Sequence, residues 1–268
     1  MLVFMTKTIV QIYEVQKPAE AEAVIASGVD HTGSVLLSRD SWKVMSIRKT
    51  VQEVQQAGAK SGLIPLFSDP LTVFHALDYY QPDFVHFCEA FSIFPGNKAT
   101  IVREFDAFIR LQAGVQDRFP QIEIMRSLSV PQQGTAQESE VLNNILSFTK
   151  LLAPFSDYFL IDTIIGGQGD KQNQPVAGYV GITGEVCNWN MAHAIIKQSP
   201  IPVILAGGIS AENVFDAIVK LQPAGVDSCT RTNAVDKEGK PIRFKKDIKK
   251  VKRMVEEARR ADSALAGY

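Results

Sequence analysis

A chain of 268 residues, 46% hydrophobic and 21% charged, has the length and apolar content for one large α/β domain (1–268) with a sizeable core, which excludes a disordered chain. Its formal net charge of −1 argues against nucleic acid or an acidic membrane surface as a partner, and no uninterrupted apolar run approaches the ~20 residues of a membrane span. Three widely spaced cysteines, Cys88, Cys187 and Cys229, suggest neither a disulfide framework nor a zinc site. Met1-Leu2-Val3-Phe4-Met5 is too short for a signal peptide and lacks a basic leader, so a reduced, cytoplasmic setting is expected.

Short apolar runs alternate with amphipathic stretches along the chain, the pattern of a parallel sheet covered by helices. A strand is expected at Thr8–Tyr13, then a helix from Pro18 to Ser27 with proline in its first turn. His31–Leu37 is the second strand, followed by a polar loop and a helix near Ser46–Ala57. Leu63–Phe67 is the third, before a helix opened by Asp69-Pro70, a side-chain cap followed by proline. Phe84–Cys88 precedes a helix at Lys98–Asp117, and Ile122–Leu128 precedes one at Gln137–Leu152. Tyr158–Asp162 leads into a long Gly/Gln-rich loop and a helix near Trp189–Lys197. Ile201–Leu205 is followed by Ala211–Leu221, and Val226–Cys229 by a closing helix at Lys245–Arg260. Eight such units, each of roughly thirty residues, predict a closed (β/α)8 TIM barrel. A doubly wound sheet would carry a GxGxxG after its first strand, and none is present. The basic run Lys237–Arg253 reads as a solvated last loop and helix face.

In such a barrel the chemistry sits at the C-terminal ends of the strands. Asp162 closes the apolar Phe159-Leu160-Ile161, and alternation puts it on the interior face with Leu160. A carboxylate there is costly unless hydrated, paired or used. Ala206-Gly207-Gly208 follows the seventh strand, and Cys229-Thr230-Arg231 follows the eighth. Paired glycines before a helix let backbone amides approach an anion, so these two turns are the expected phosphate grip. His86 and Cys88 share a parity that aims both inward. No His/Asp spacing supports a fixed metal site.

With these residues in place the sequence resembles the phosphoribosylanthranilate isomerase family of tryptophan biosynthesis. Gln11-Ile12-Tyr13-Glu14-Val15-Gln16-Lys17-Pro18 and Gly28-Val29-Asp30-His31-Thr32-Gly33 are similar to its first two strands. Leu160-Ile161-Asp162-Thr163, Gly181-Ile182-Thr183-Gly184 through Trp189, and Leu205-Ala206-Gly207-Gly208-Ile209 with Glu212-Asn213-Val214 follow its later motifs in order. The resemblance implies a ribulose-phosphate-binding barrel that needs no cofactor, takes a small phosphosugar, and is either a monomer or a homodimer. It implies an Amadori rearrangement, in which a general acid protonates a ring oxygen and a general base takes a C2 proton. The acid falls on Asp162. The phosphate falls on Gly184, Ala206, Gly207, Gly208, Cys229, Thr230 and Arg231, while Lys43 and Arg126 lie near the family's substrate-contacting cations.

The pattern departs from the family at the base. Tyr13 stands where the family has cysteine, Glu14 and Glu89 stand where it has glycine, and the last turn lacks its glycine. Tyr13 or Glu14 is then the candidate base, although a phenol of pKa ~10 needs a large lowering to serve. Two other readings stay open: a phosphosugar barrel with different proton-transfer chemistry, its mouth lined by Asp162, Glu14 and Glu89, or a non-catalytic barrel plugged by Tyr13.

Overall fold

The computed structural model describes residues 7–91, 98–135, 137–166 and 174–267. Residues 1–5, read above for a leader, and part of the long loop after the sixth strand lie outside these. Eight parallel strands close into a barrel: β1 (Ile9–Tyr13), β2 (His31–Leu36), β3 (Lys60–Pro65), β4 (Phe84–Phe87), β5 (Glu123–Pro131), β6 (Tyr158–Ile164), β7 (Val203–Leu205) and β8 (Gly225–Ser228). Each is hydrogen-bonded to the next, and β8 pairs back to β1 with Ile12 opposite Ser228. Parallel neighbours need a crossover, and the helices supply it. These are α1 (Pro18–Ile25), α2 (Met45–Gln56), α3 (Pro70–Tyr80), α4 (Lys98–Arg118), α5 (Glu138–Leu152), α6 (Trp189–Gln198), α7 (Val214–Leu221) and α8 (Ile248–Ala266).

Local chemistry sets the helix starts. The Asp69 carboxylate accepts from the Thr72 amide at 3.0 Å with Pro70 next in line, as expected from the sequence. Asn188 and Asp247 cap α6 and α8 in the same way. The strands bury residues on both faces because helices cover the outside and side chains fill the inside. Val214, Ala217, Ile218 and Leu221 form the buried stripe of α7, each large one worth about 1.5–3 kcal/mol of burial.

Several element bounds differ from those read, as at the start of α7 (Val214) and the end of α8 (Ala266), and one element was not expected. β3 begins at Lys60 and ends at Pro65, three residues earlier at its start than read, because the backbone from Lys60 on is in parallel register with β2 from His31 on. The unexpected element is an antiparallel hairpin between β8 and α8, β9 (Asn233–Val235) with β10 (Pro241–Lys246), only the second strand of which lies inside the run Lys237–Arg253 read as a solvated loop and helix face.

Candidate active site

The C-terminal ends of the strands meet around a small cavity of about 50 Å³, lined by Tyr13, Glu14, His86, Cys88, Asp162, Asp227 and Cys229. Asp162, near the end of β6, accepts from the amide of Thr163 at 2.7 Å. Burial in the mouth raises its carboxyl to about 7, against the lowering effect of that amide. A carboxyl of that kind carries a proton for an appreciable fraction of the time near neutrality.

Beside it lies a narrower polar recess lined by Asp162, Gly184, Ala206, Gly207, Gly208, Cys229, Thr230 and Arg231. The expected phosphate grip and the expected acid therefore face one space. Gly207 and Gly208 have φ of 79° and 64°, a region that L side chains rarely adopt. A Cβ on Gly208 would lie 2.8 Å from the Glu185 carbonyl carbon, so the glycine also lets residues 184–186 pack against the turn. Neither glycine amide has a hydrogen-bond partner among the described residues, and the buried Thr230 hydroxyl has none either. Unpaired donors at a polar recess are a ready cradle for an anion. Arg231 lines this recess, and its Nε donates to the Gly184 carbonyl at 2.8 Å, holding the rim.

Tyr13 points inward, its ring lying where a Cβ of residue 33 would be, which Gly33 permits. Its hydroxyl donates to the Met125 sulfur at 3.2 Å, and burial, with Asp227 adding, pushes the phenol well above its usual value. That is the wrong direction for a base. Cys88 and Cys229 are also raised by burial and stay protonated thiols. Glu14 is different. It is buried, holds a left-handed φ of 61°, and one oxygen is paired with Arg243 while the other has no hydrogen-bond partner among the described residues. A non-glycine residue kept in that backbone region by its surroundings is strained, and such strain clusters at working sites.

Asp227 belongs to the site and was not singled out in the sequence. Burial raises its carboxyl well above the ordinary value, with Asp162 adding, and it accepts from Gln11 Nε2 at 3.1 Å. The signal was available: Asp227 precedes Cys229 by two residues at the end of the eighth strand, so alternation aims both the same way. His86 lines the cavity as its parity suggested, Nε2 2.7 Å from the Ser127 hydroxyl.

Three expected positions fall elsewhere. Lys43 lies over the Tyr79 ring at 4.7 Å, beside α3 and outside the cavity lining. Arg126 is fully buried on the outer face of β5, pairing with Glu89 at 2.6 Å and Gln112 at 2.8 Å beneath α4. Its parity is opposite to that of Met125, which meets Tyr13 inside the barrel. Glu89, taken up by Arg126, does not line the mouth. Among the described residues, no three His, Cys, Asp or Glu side chains converge to hold a metal ion.

The mouth is covered. The segment before α6 pairs with the end of β4, Ala90 N–H donating to Gly178 and Val180 N–H to Cys88, each at 2.9 Å. It lays Gly181 directly on the Asp162 carboxylate, with no room for a Cβ.

Residues 153–257 match the family model for N-(5'-phosphoribosyl)anthranilate (PRA) isomerase. A Methanosarcina acetivorans protein named N-(5'-phosphoribosyl)anthranilate isomerase is 34% identical over 141 residues, covering 52% of this chain and 51% of that protein. The alignments span about half the length of the curated relatives the chain matches. In fold, the chain is similar to the Pyrococcus furiosus isomerase of that name, with a TM-score of 0.63 and 20% identity over 94% of this chain and 99% of the other. It is equally similar to monomers generated from the dimeric Thermotoga maritima enzyme, with a TM-score of 0.63 and 17% identity over 94% and 98%.

Proposed function

We propose that this chain, a relative of the phosphoribosylanthranilate isomerases in the sequence of its second half and in its whole barrel, catalyses the Amadori rearrangement of a phosphoribosyl amine. The observation that carries the reading is the shared recess: a carboxyl raised to about 7 faces the unpaired amides of the Gly207–Gly208 turn. The phosphate sits on those amides and the Thr230 hydroxyl, fixing one end of the substrate while the other reacts. Asp162 gives its proton to the ring oxygen as the C1–O bond breaks, and the amine lone pair forms a C1=N iminium. Glu14 takes the C2 proton, and the C–H electron pair becomes the C1=C2 bond of an enolamine as the iminium electrons return to nitrogen. Tautomerisation gives the 1-amino-1-deoxyketose, with the proton on Glu14 balancing the one lost by Asp162. Asp227, whose carboxyl burial raises, shares the lining with Asp162 and is placed to contact a sugar hydroxyl.

Turnover of phosphoribosyl anthranilate by the purified protein, followed by the loss of substrate fluorescence, tests this. The expected result is turnover that Asp162→Asn reduces by about 10²–10⁴-fold. No turnover, together with failure to rescue a tryptophan auxotroph lacking the isomerase, would overturn it. A homodimer is part of the proposal by analogy with the Thermotoga protein, and sedimentation at micromolar concentration measures it.

A further inference from the structure

The hairpin between β8 and α8 returns across the barrel end. Lys246 fastens its last residue, donating from Nζ to the Cys229 carbonyl at 2.9 Å and to Asn233 at 2.6 Å. The Lys246 amide donates to Glu20 at 2.6 Å, and the Asp247 amide to the Thr232 carbonyl at 2.9 Å. At the near end, Asp236 accepts from the amides of Glu238 and Lys240 and fixes the turn. The register of the pair shifts between Pro241 and Lys246, and Phe244 in that stretch has a φ of 60°. Such irregularities re-aim side chains. Phe244 packs on the core, and Arg243 reaches Glu14, 229 residues earlier in the chain.

That contact is asymmetric. Nε of Arg243 donates to Oε1 of Glu14 at 2.9 Å and a terminal guanidinium nitrogen meets the same oxygen, while the buried Oε2 of this cavity-lining residue has no hydrogen-bond partner among the described residues. Two donors from one planar group on one oxygen fix the orientation of a carboxylate in a way a single flexible cation does not. The arginine is half-buried and the carboxylate nearly inaccessible, so the pair joins a surface element to the floor of the site.

We propose that Arg243 is a positioning residue: by holding Oε1 it presents the second oxygen of Glu14 to the substrate C2 proton. This rests on the reading of Glu14 as the proton acceptor. The hairpin is then part of the catalytic apparatus, even though no atom of it meets the reacting carbons.

The test compares wild type, Glu14→Gln, Arg243→Ala, Arg243→Lys and the double variant Arg243→Ala/Glu14→Gln in the isomerase assay, with circular dichroism and melting curves as folding controls. Arg243→Ala is expected to lower kcat by about 10–100-fold with KM within threefold of wild type, as an interaction used in the transition state requires. Arg243→Lys recovers part of kcat, and the double variant is no slower than Glu14→Gln alone. If Arg243→Ala does not fold, Arg243→Met, which keeps the aliphatic stem, takes its place. A kcat within twofold of wild type, a loss confined to KM, or losses that multiply in the double variant would overturn the proposal. A wild-type protein without turnover would remove the isomerase reading, and an active Glu14→Gln would remove the acceptor, each taking this proposal with it but by a distinguishable result.

Discussion

Asp162 couples the site to stability. Its carboxyl is raised from 3.8 to about 7 by burial, so between those values the folded protein binds a proton that the unfolded chain has released. Stability therefore falls as pH rises through that window, by this group's share. Asp162→Asn removes the dependence: melting temperatures measured from pH 4 to 8 should decline less in the variant, which gains on wild type at the alkaline end. A parallel decline in both would show that the carboxyl is not the group titrating. At the neighbouring turn, Gly208→Ala places a methyl 2.8 Å from the Glu185 backbone in a conformation that L residues disfavour. A loss of about 1–3 kcal/mol is expected, together with weakened binding of inorganic phosphate, by denaturant titration and calorimetry.

At the level of elements, the parts that sequence reading found are those with strong local chemistry. Asp69-Pro70 announced α3, and Asp69→Ala should lower the midpoint of a denaturant melt, because the Thr72 amide loses its cap. Asp162 was legible because a carboxylate at the end of Phe159-Leu160-Ile161 breaks an apolar run. The hairpin was not, because Pro241-Ile242-Arg243-Phe244-Lys245-Lys246 mixes charge into its alternation and its register shift spoils the period. Arg126 was misplaced for a related reason: its neighbours are buried on both faces, so periodicity cannot say which face it occupies. The fate of Glu14 depended on a partner 229 residues away, and no local pattern reports that.

Over the whole molecule, the barrel is closed at its foot by charge. Asp30 accepts from the Val10 amide at 2.9 Å, from Lys7, and from Arg259 of the last helix at 2.6 Å, while Asp262 takes the Thr8 hydroxyl. First and last elements are thereby joined across the seam where β1 meets β8. Burial opposes the charge on Asp30, but Lys7, the amide and Arg259 outweigh it and hold its carboxyl below the ordinary value. A lowered carboxyl contributes stability above its unfolded pKa of about 4 and loses it as pH falls through the folded value. Asp30→Asn should therefore lower stability at pH 7, by about 0.5–1 kcal/mol once solvent screening of the half-exposed pairs is allowed for, with the gap narrowing toward pH 3 in urea melts.

The strap of chain lying on Asp162 also has a kinetic meaning. The cavity beneath it, about 50 Å³, holds a few waters and is smaller than the roughly 300–1,000 Å³ of sites that take small molecules. Widening it for a larger ligand takes release of the amides that join Ala90 to Gly178 and Val180 to Cys88, each worth about 0.5–1.5 kcal/mol net. The unlatched form is then on the order of a few per cent of the population, and apparent affinity is diluted by that fraction. In a stopped-flow experiment the observed association rate should bend to a plateau as ligand concentration rises, the ceiling being the frequency at which the strap lifts.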